Sequence, residues 1–375
     1  MAVFRDARHA DKVIEWHFRN NRKWGARDRR FFAESVYESV RWWRRRWVEA
    51  GLPRDRWNCF ADLTSDLAWQ VWSVDWEIRT KSKVFSVSLS EAESHSVPDW
   101  LWDLFFQEFA NKAGSILAAL NKPAEVYIRA NTLKISKDQL VERLKQEGVE
   151  VQPEGPEHCL RLLERKNVFA TKAFKEGLFE MQDISSQEIA PLLDPQPGER
   201  VVDACAGAGG KTLHIAALMG NRGKVIAMDI HRDKLSELRQ RCRRNAVDIV
   251  EVRPIEGRKV IKRLYGSADR VLLDVPCSGL GVLRRNPDTK WKLSPQRIEE
   301  LRQLQAQILS EYAPMVKSGG VLVYATCSCL PSENEEQVRK FLRENPNWIL
   351  EAELWRRPDR DPGDGFYGAR LRRRS

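Results

Sequence analysis

Two cysteines carry the first sign of chemistry. Cys277 stands in LLDVPCSGLG and Cys327 in VYATCSCLPS, each just beyond a short apolar run that reads as a buried strand. If the two strands are parallel members of one sheet, both thiols open at its carboxyl edge, where α/β sheets bind ligands. A lone cysteine is commonly a small core residue. Two at equivalent strand ends, each in a turn of proline and small residues, point instead to covalent catalysis. A thiolate that adds to C6 of a cytosine turns the ring into an enamine whose C5 accepts a methyl group. A base must then remove the C5 proton so that the thiolate can leave. The second cysteine could assist that elimination, and Asp274 could hydrogen-bond the protonated N3 edge. Spacing leaves open which cysteine attacks.

A methyl donor needs its own site, and VVDACAGAGGKT supplies a glycine-rich turn between a strand and a helix. The turn comprises Cys205, Ala206, Gly207, Ala208, Gly209, Gly210 and Lys211. Gly210, Lys211 and Thr212 nearly satisfy the nucleoside-triphosphate pattern GxxxxGK[ST], but position 205 is cysteine where glycine is required. The VLLD run ending at Asp274 could serve as the acidic strand of such a protein, so an NTPase is a rival reading. Asp229 closes the next strand, 24 residues beyond Cys205, where a carboxylate can accept hydrogen bonds from ribose hydroxyls. A dehydrogenase would require G-x-G-x-x-G for a pyrophosphate, which CAGAGGK lacks. The adenosyl ligand without a pyrophosphate is S-adenosylmethionine.

The elements around these residues predict an α/β fold. Strands are expected at Val201–Ala204, Val225–Asp229, Ile249–Val252, Val271–Asp274 and Val321–Tyr324, with helices starting near Lys211, Arg232 and Pro295, the pattern of a doubly wound sheet. Residues 126–193 read as a small α+β unit. Residues 1–125 read as a helical domain: 11 of the 14 tryptophans fall between Trp16 and Trp102, and Phe32, Val36, Val40, Trp43 and Trp47 line one face of a helix over Asp28–Ala50. Arg41, Arg44, Arg45 and Arg46 leave that face for a basic side facing solvent or phosphate. The tail from Arg356 is too charged for core except at Phe366 and Tyr367. Net charge is +10, suited to a polyanion. Seven cysteines without paired C-x-x-C ligands suggest neither a disulfide framework nor a metal site. No apolar run is long enough to span a bilayer and the first residues carry charges of both signs, so a cytoplasmic protein is expected.

CAGAGGKT, LLDVPCSGLGVLRRNPDTKW and YATCSCLPSENE, in this order, resemble the RsmB/Nop/Sun family of RNA 5-cytosine methyltransferases. IRANTLK and GLFEMQDISSQ resemble its lead-in, DGFYGARLRR its terminal strand, and GARDRRFFAESVYESVRW the NusB-like RNA-binding helical domain of bacterial members. The resemblance implies a class I Rossmann-like S-adenosylmethionine methyltransferase sheet over 194–375, preceded by the α+β unit and an all-α NusB-like domain. It also implies that Cys327 is the nucleophile and Cys277 promotes product release. Cofactor contacts would fall on the 205–211 turn, Asp229, Asp274 and Glu256, where relatives usually carry aspartate. Ala208 replaces the usual proline. The implied substrate is RNA, ribosomal RNA first and transfer RNA as the alternative, bound by a monomer through Arg284, Arg285, Lys290 and the N-terminal arginines. A noncatalytic RNA-binding assembly factor is the rival without chemistry.

Overall fold

A computed structural model describes residues 1–375. Its contacts divide into two units, Met1–Pro123 with Val282–Ile298, and Ala124–Gly281 with Glu299–Ser375.

The first unit is all helical, with its main helices at Ala10–Asn20, Ala26–Arg41, Trp43–Glu49, Ser65–Lys81 and Asp99–Phe109. Phe4, Val40, Trp43, Trp47, Trp57, Leu63 and Val71 form its core. The single helix expected over Asp28–Ala50 is interrupted at Trp42 (φ −105°, ψ 16°). Beyond the break, the buried indoles of Trp43 and Trp47 donate to the carbonyls of Trp57 and Pro53 at 2.9 and 2.8 Å, as buried N–H groups must.

Arg41, Arg44 and Arg46 are internal, which corrects the expectation of a solvent- or phosphate-facing side for these three, while Arg45 stays partly exposed. Arg44 makes two bonds to Asp99 (2.8 and 2.9 Å) and one to the Val97 carbonyl, and Arg46 pairs with Glu49 and Asp75. Arg41 is buried against Glu38. A guanidinium removed from water persists only when it is paired, and these arginines are.

Residues 282–298 depart from the expected 194–375 boundary, because their side chains complete the helical unit. Lys290 is 1% exposed and donates to the Arg41 carbonyl (2.7 Å) and Asn121 Oδ1 (3.1 Å), while Trp291 donates to the Val40 carbonyl (2.8 Å). Burial, followed by the charge of Arg41, drives the Lys290 ammonium well below its ordinary pKa. Lys290 is therefore not a phosphate contact. Arg284 donates to the Ala119 carbonyl.

The second unit holds two sheets. The smaller is antiparallel, in the order β2-β3-β1-β4, with β1 Tyr127–Ala130, β2 Val151–Pro153, β3 Cys159–Leu162 and β4 Phe179–Met181. The helix Lys137–Gln146, capped reciprocally by Ser136 and Gln139, buries Leu140 and Leu144 in this layer's core.

The larger sheet comprises β5 Arg200–Asp203, β6 Lys224–Asp229, β7 Val250–Pro254, β8 Ala268–Asp274, β9 Val316–Thr326, β10 Trp348–Arg356 and β11 Phe366–Arg373. Its order is β10-β11-β9-β8-β5-β6-β7, a Rossmann-like arrangement in which β5 to β9 are parallel and β11 runs antiparallel between β9 and β10. Val271, Leu272 and Leu273 are all buried, as a parallel strand covered on both faces requires. The tail enters the core more deeply than its charge suggests: Tyr367, Ala369 and Leu371 are fully buried because β11 is an interior strand. Strand order reverses between β5 and β8, a topological switch point of the kind beyond whose carboxyl ends α/β sheets bind ligands. No helix is long and apolar enough to cross a membrane.

Candidate active site

The glycine turn lies at that switch point, between β5 and the helix Gly210–Leu218. Gly207 and Gly209 adopt φ of +52° and +89°, conformations that favour glycine. A side chain on Gly209 would collide with Leu238, whereas one on Gly207 or Gly210 would meet nothing within 4 Å. The turn thus packs on one side and faces open space on the other.

Arginines brace it from outside. Arg241 donates to the Ala208 carbonyl (2.7 Å) and to Glu180 of β4 (2.8 Å), and Arg129 of β1 donates to the Gly210 carbonyl (3.1 Å). Sequence reasoning noted IRANTLK but gave Arg129 no task, and nothing in the sequence singles out Arg241. With Glu180 pairing Arg241, the small sheet helps to position the glycine turn.

Asp229, 8% exposed at the end of β6, accepts from the Gly207 and His231 amides, both at 2.8 Å. Those bonds fix its carboxylate beside the turn. Glu256 behaves differently: it lies exposed after β7 and pairs with Arg232. Asp203, at the end of β5, is 1% exposed and accepts from Thr212 Oγ1 (2.7 Å). Burial pushes its pKa up to about 7, against the lowering effect of the Thr212 bond.

Lys211 reaches from the glycine turn to Asp274 at the end of β8, with Nζ and Oδ2 2.6 Å apart. Burial pulls the lysine pKa down, but the charge and hydrogen bond of Asp274 outweigh it and the net shift is upward. The Phe366 ring lies 5.1 Å from the same ammonium.

The cysteines at 277 and 327 meet directly, their sulfurs 3.3 Å apart as free thiols. Register explains the meeting: Asp274 pairs with Ala325 between parallel neighbours, so the following turns leave the sheet side by side. The hydrogen bond to Cys327, then burial and the charges of Cys327 and Glu333, raises the Cys277 thiol well above its ordinary pKa. Either sulfur can donate in this contact, and burial together with the neighbouring groups disfavours a thiolate at Cys277. Cys329, two residues on, is buried, and its pKa is raised to about 12 by burial.

Sequence reasoning missed the residues that hold this pair. Glu333 is fully buried between the two turns and bonds to Ser278 and Ser328, the residues after each cysteine. Asn334 accepts from Thr326 and donates to the Ser328 carbonyl. A signal was present, because C-S-x-L occurs at both 277–280 and 327–330.

The family model described as 16S rRNA methyltransferase RsmB/F matches residues 190–372, and that of the ferredoxin-like domain of RsmF/B-like methyltransferases matches 97–169. A probable ribosomal RNA small subunit methyltransferase B of Synechocystis is 38% identical over 276 residues, 72% of this chain and 61% of that protein. The ribosomal RNA small subunit methyltransferase B of Yersinia enterocolitica is 37% identical over 293 residues, covering 75% and 68%. A solved methyltransferase homolog from Pyrococcus horikoshii superposes with a TM-score of 0.68 at 29% identity, over 76% of this chain and 97% of the other. The chain spans about three-fifths of the length of the first curated relatives it matches. On sequence identity, matched domains and fold together, the chain belongs to the RsmB/F methyltransferase family.

Proposed function

We propose that this chain is an S-adenosylmethionine-dependent RNA (cytosine-5-)-methyltransferase acting on ribosomal RNA, as a cytoplasmic monomer, with Cys327 as the nucleophile. The observation that carries the reading is the 3.3 Å contact between Cys277 and Cys327 beside the Lys211–Asp274 pair. An NTPase has no use for two thiols at that place.

The residues present fit the cofactor. The open space over Gly207 and Gly210 admits a ligand against the turn, and Asp229 offers acceptor lone pairs for ribose hydroxyls at the strand end. Residues Cys205 to Lys211, Asp229 and Asp274 would hold it, whereas Glu256 reaches it only if its pair with Arg232 opens. When bound, S-adenosylmethionine supplies an electrophilic methyl group.

The target cytosine must leave its stack to enter the site. The Cys327 thiolate forms a bond to C6 as the C5–C6 π pair shifts into the ring and N3 takes up a proton from solvent, and Asp274 accepts a hydrogen bond from that N3–H, stabilising the electron-rich ring. After C5 is methylated and loses its proton to a base, the C6–S bond breaks and its electron pair returns to sulfur. Cys277, which keeps its own proton, donates a hydrogen bond to that departing thiolate.

Incubation with labelled S-adenosylmethionine and unmodified ribosomal RNA tests the proposal, with transfer RNA as a parallel arm. Label entering C5 of a ribosomal RNA cytosine is expected. Exclusive labelling of transfer RNA would overturn the substrate assignment, and ATP hydrolysis without methyl transfer would overturn the activity.

A further inference from the structure

Cys277 and Cys327 are each followed by a serine and, two residues later, a leucine, and the two turns are built alike. Ser278 Oγ accepts from the Leu280 amide (3.3 Å) and Ser328 Oγ from the Leu330 amide (3.1 Å). Each hydroxyl then donates to the same atom, Glu333 Oε2, at 2.5 Å. Glu333 Oε1 accepts from the Ser278 amide (2.8 Å) and from Gln305 Nε2 (2.9 Å). Four hydrogen bonds thus converge on one carboxylate with no exposure to solvent.

From this arrangement we propose that Glu333 is the positioning residue of the cysteine pair: through Ser278 and Ser328 it sets the separation of the two sulfurs. The proposal rests on the catalytic reading of those cysteines. Burying a carboxylate is costly, and four donors compensate it only while both turns stay in place, so the clamp and the turns stabilise one another. The negative charge has a second effect. It lies close to Cys277 and disfavours a thiolate there. The other groups facing Cys277 are Cys327 itself, the Gly279 amide and the Tyr324 hydroxyl, which donates to the Glu333 carbonyl (2.7 Å). Among them Glu333 is the formal charge that does not depend on the pair's own ionisation.

The test reads the thiols in the RNA-free protein, so it stands apart from whether RNA is methylated. Iodoacetamide alkylation of Cys277 and Cys327 is followed against pH by mass spectrometry in wild type, Glu333→Gln and the double variant Ser278→Ala/Ser328→Ala. Glu333→Gln keeps the shape and removes the charge, and alkylation of Cys277 at pH 8 is expected to rise about fivefold or more. The double-serine variant keeps the charge and cuts both hydroxyl arms. Diamide-driven closure of the Cys277–Cys327 disulfide should then slow about tenfold, since proximity sets that rate. Wild-type alkylation profiles in Glu333→Gln, or wild-type closure rates in folded double-serine protein, overturn the proposal. Melting curves control for folding, and a role confined to stability would shift them while leaving the pH profile of Cys277 unchanged.

Discussion

Lys211 Nζ lies 2.6 Å from Asp274 Oδ2, tying the first turn of the glycine-loop helix to the end of β8. Lysine is 11% exposed in its side chain and aspartate 29%, so breaking one side strands a poorly solvated charge. Asp274→Asn should lower stability by roughly 3 kcal/mol, the lower end for orphaning one member of a buried pair. Adding Lys211→Met should restore most of that loss but none of the methyl transfer. Denaturant titrations of the four proteins of this cycle, with activity measured alongside, check both statements.

Cys327→Ala should reduce methyl transfer to below about one-thousandth of wild type, because the covalent step is lost altogether. Cys277→Ala should instead leave attack intact and slow elimination, so a covalent RNA–protein adduct accumulates on denaturing gels. Free RNA and normal turnover in Cys277→Ala would show that the second thiol has no part in release.

How much of this was legible in the sequence depends on the range of the contacts. The five parallel strands and the glycine turn were readable because local periodicity and turn composition specify them. The approach of Cys277 to Cys327 followed from two similar strand ends, although register across the sheet was needed to bring the sulfurs together. Arg44, Arg46 and Lys290 were misread because composition treats a cation as a surface group, whereas their partners Asp99, Asp75 and Asn121 lie far away in the chain. Glu333 was invisible for a related reason: a glutamate among ENEE looks like a solvated helix start, and only the folded turns supply its donors.

Asp203 gives a pH signature. Burial raises its folded pKa to about 7, while in the unfolded chain an aspartate titrates near 3.9. Between those values the folded state holds a proton that the unfolded state has released. The stability contributed by this group is therefore full below about pH 4, falls as pH rises, and levels off above about pH 7, with a slope of up to roughly 1.4 kcal/mol per pH unit. Asp203→Asn can still accept from Thr212 and removes the titration. The gap in melting temperature between variant and wild type should widen in the variant's favour from pH 4 to pH 7, and a constant gap would contradict the assignment.

Gly281 offers a prediction free of electrostatics. Its amide donates to the Cys327 carbonyl (3.0 Å) and its own carbonyl accepts from Gly365 (2.8 Å), so three strand-end segments cross at one glycine. A methyl group there would stand 2.2 Å from the Gly365 carbonyl oxygen and 2.7 Å from that of Cys327, and rigid backbone atoms cannot yield as a flexible side chain would. Gly281→Ala should cost roughly 2 kcal/mol or more by overpacking. It should also move the Cys327 turn away from Cys277. Slower diamide closure of the cysteine pair would register that displacement even where the protein remains folded. A variant with wild-type melting temperature and closure rate would mean that the crossing relaxes at no cost to the site.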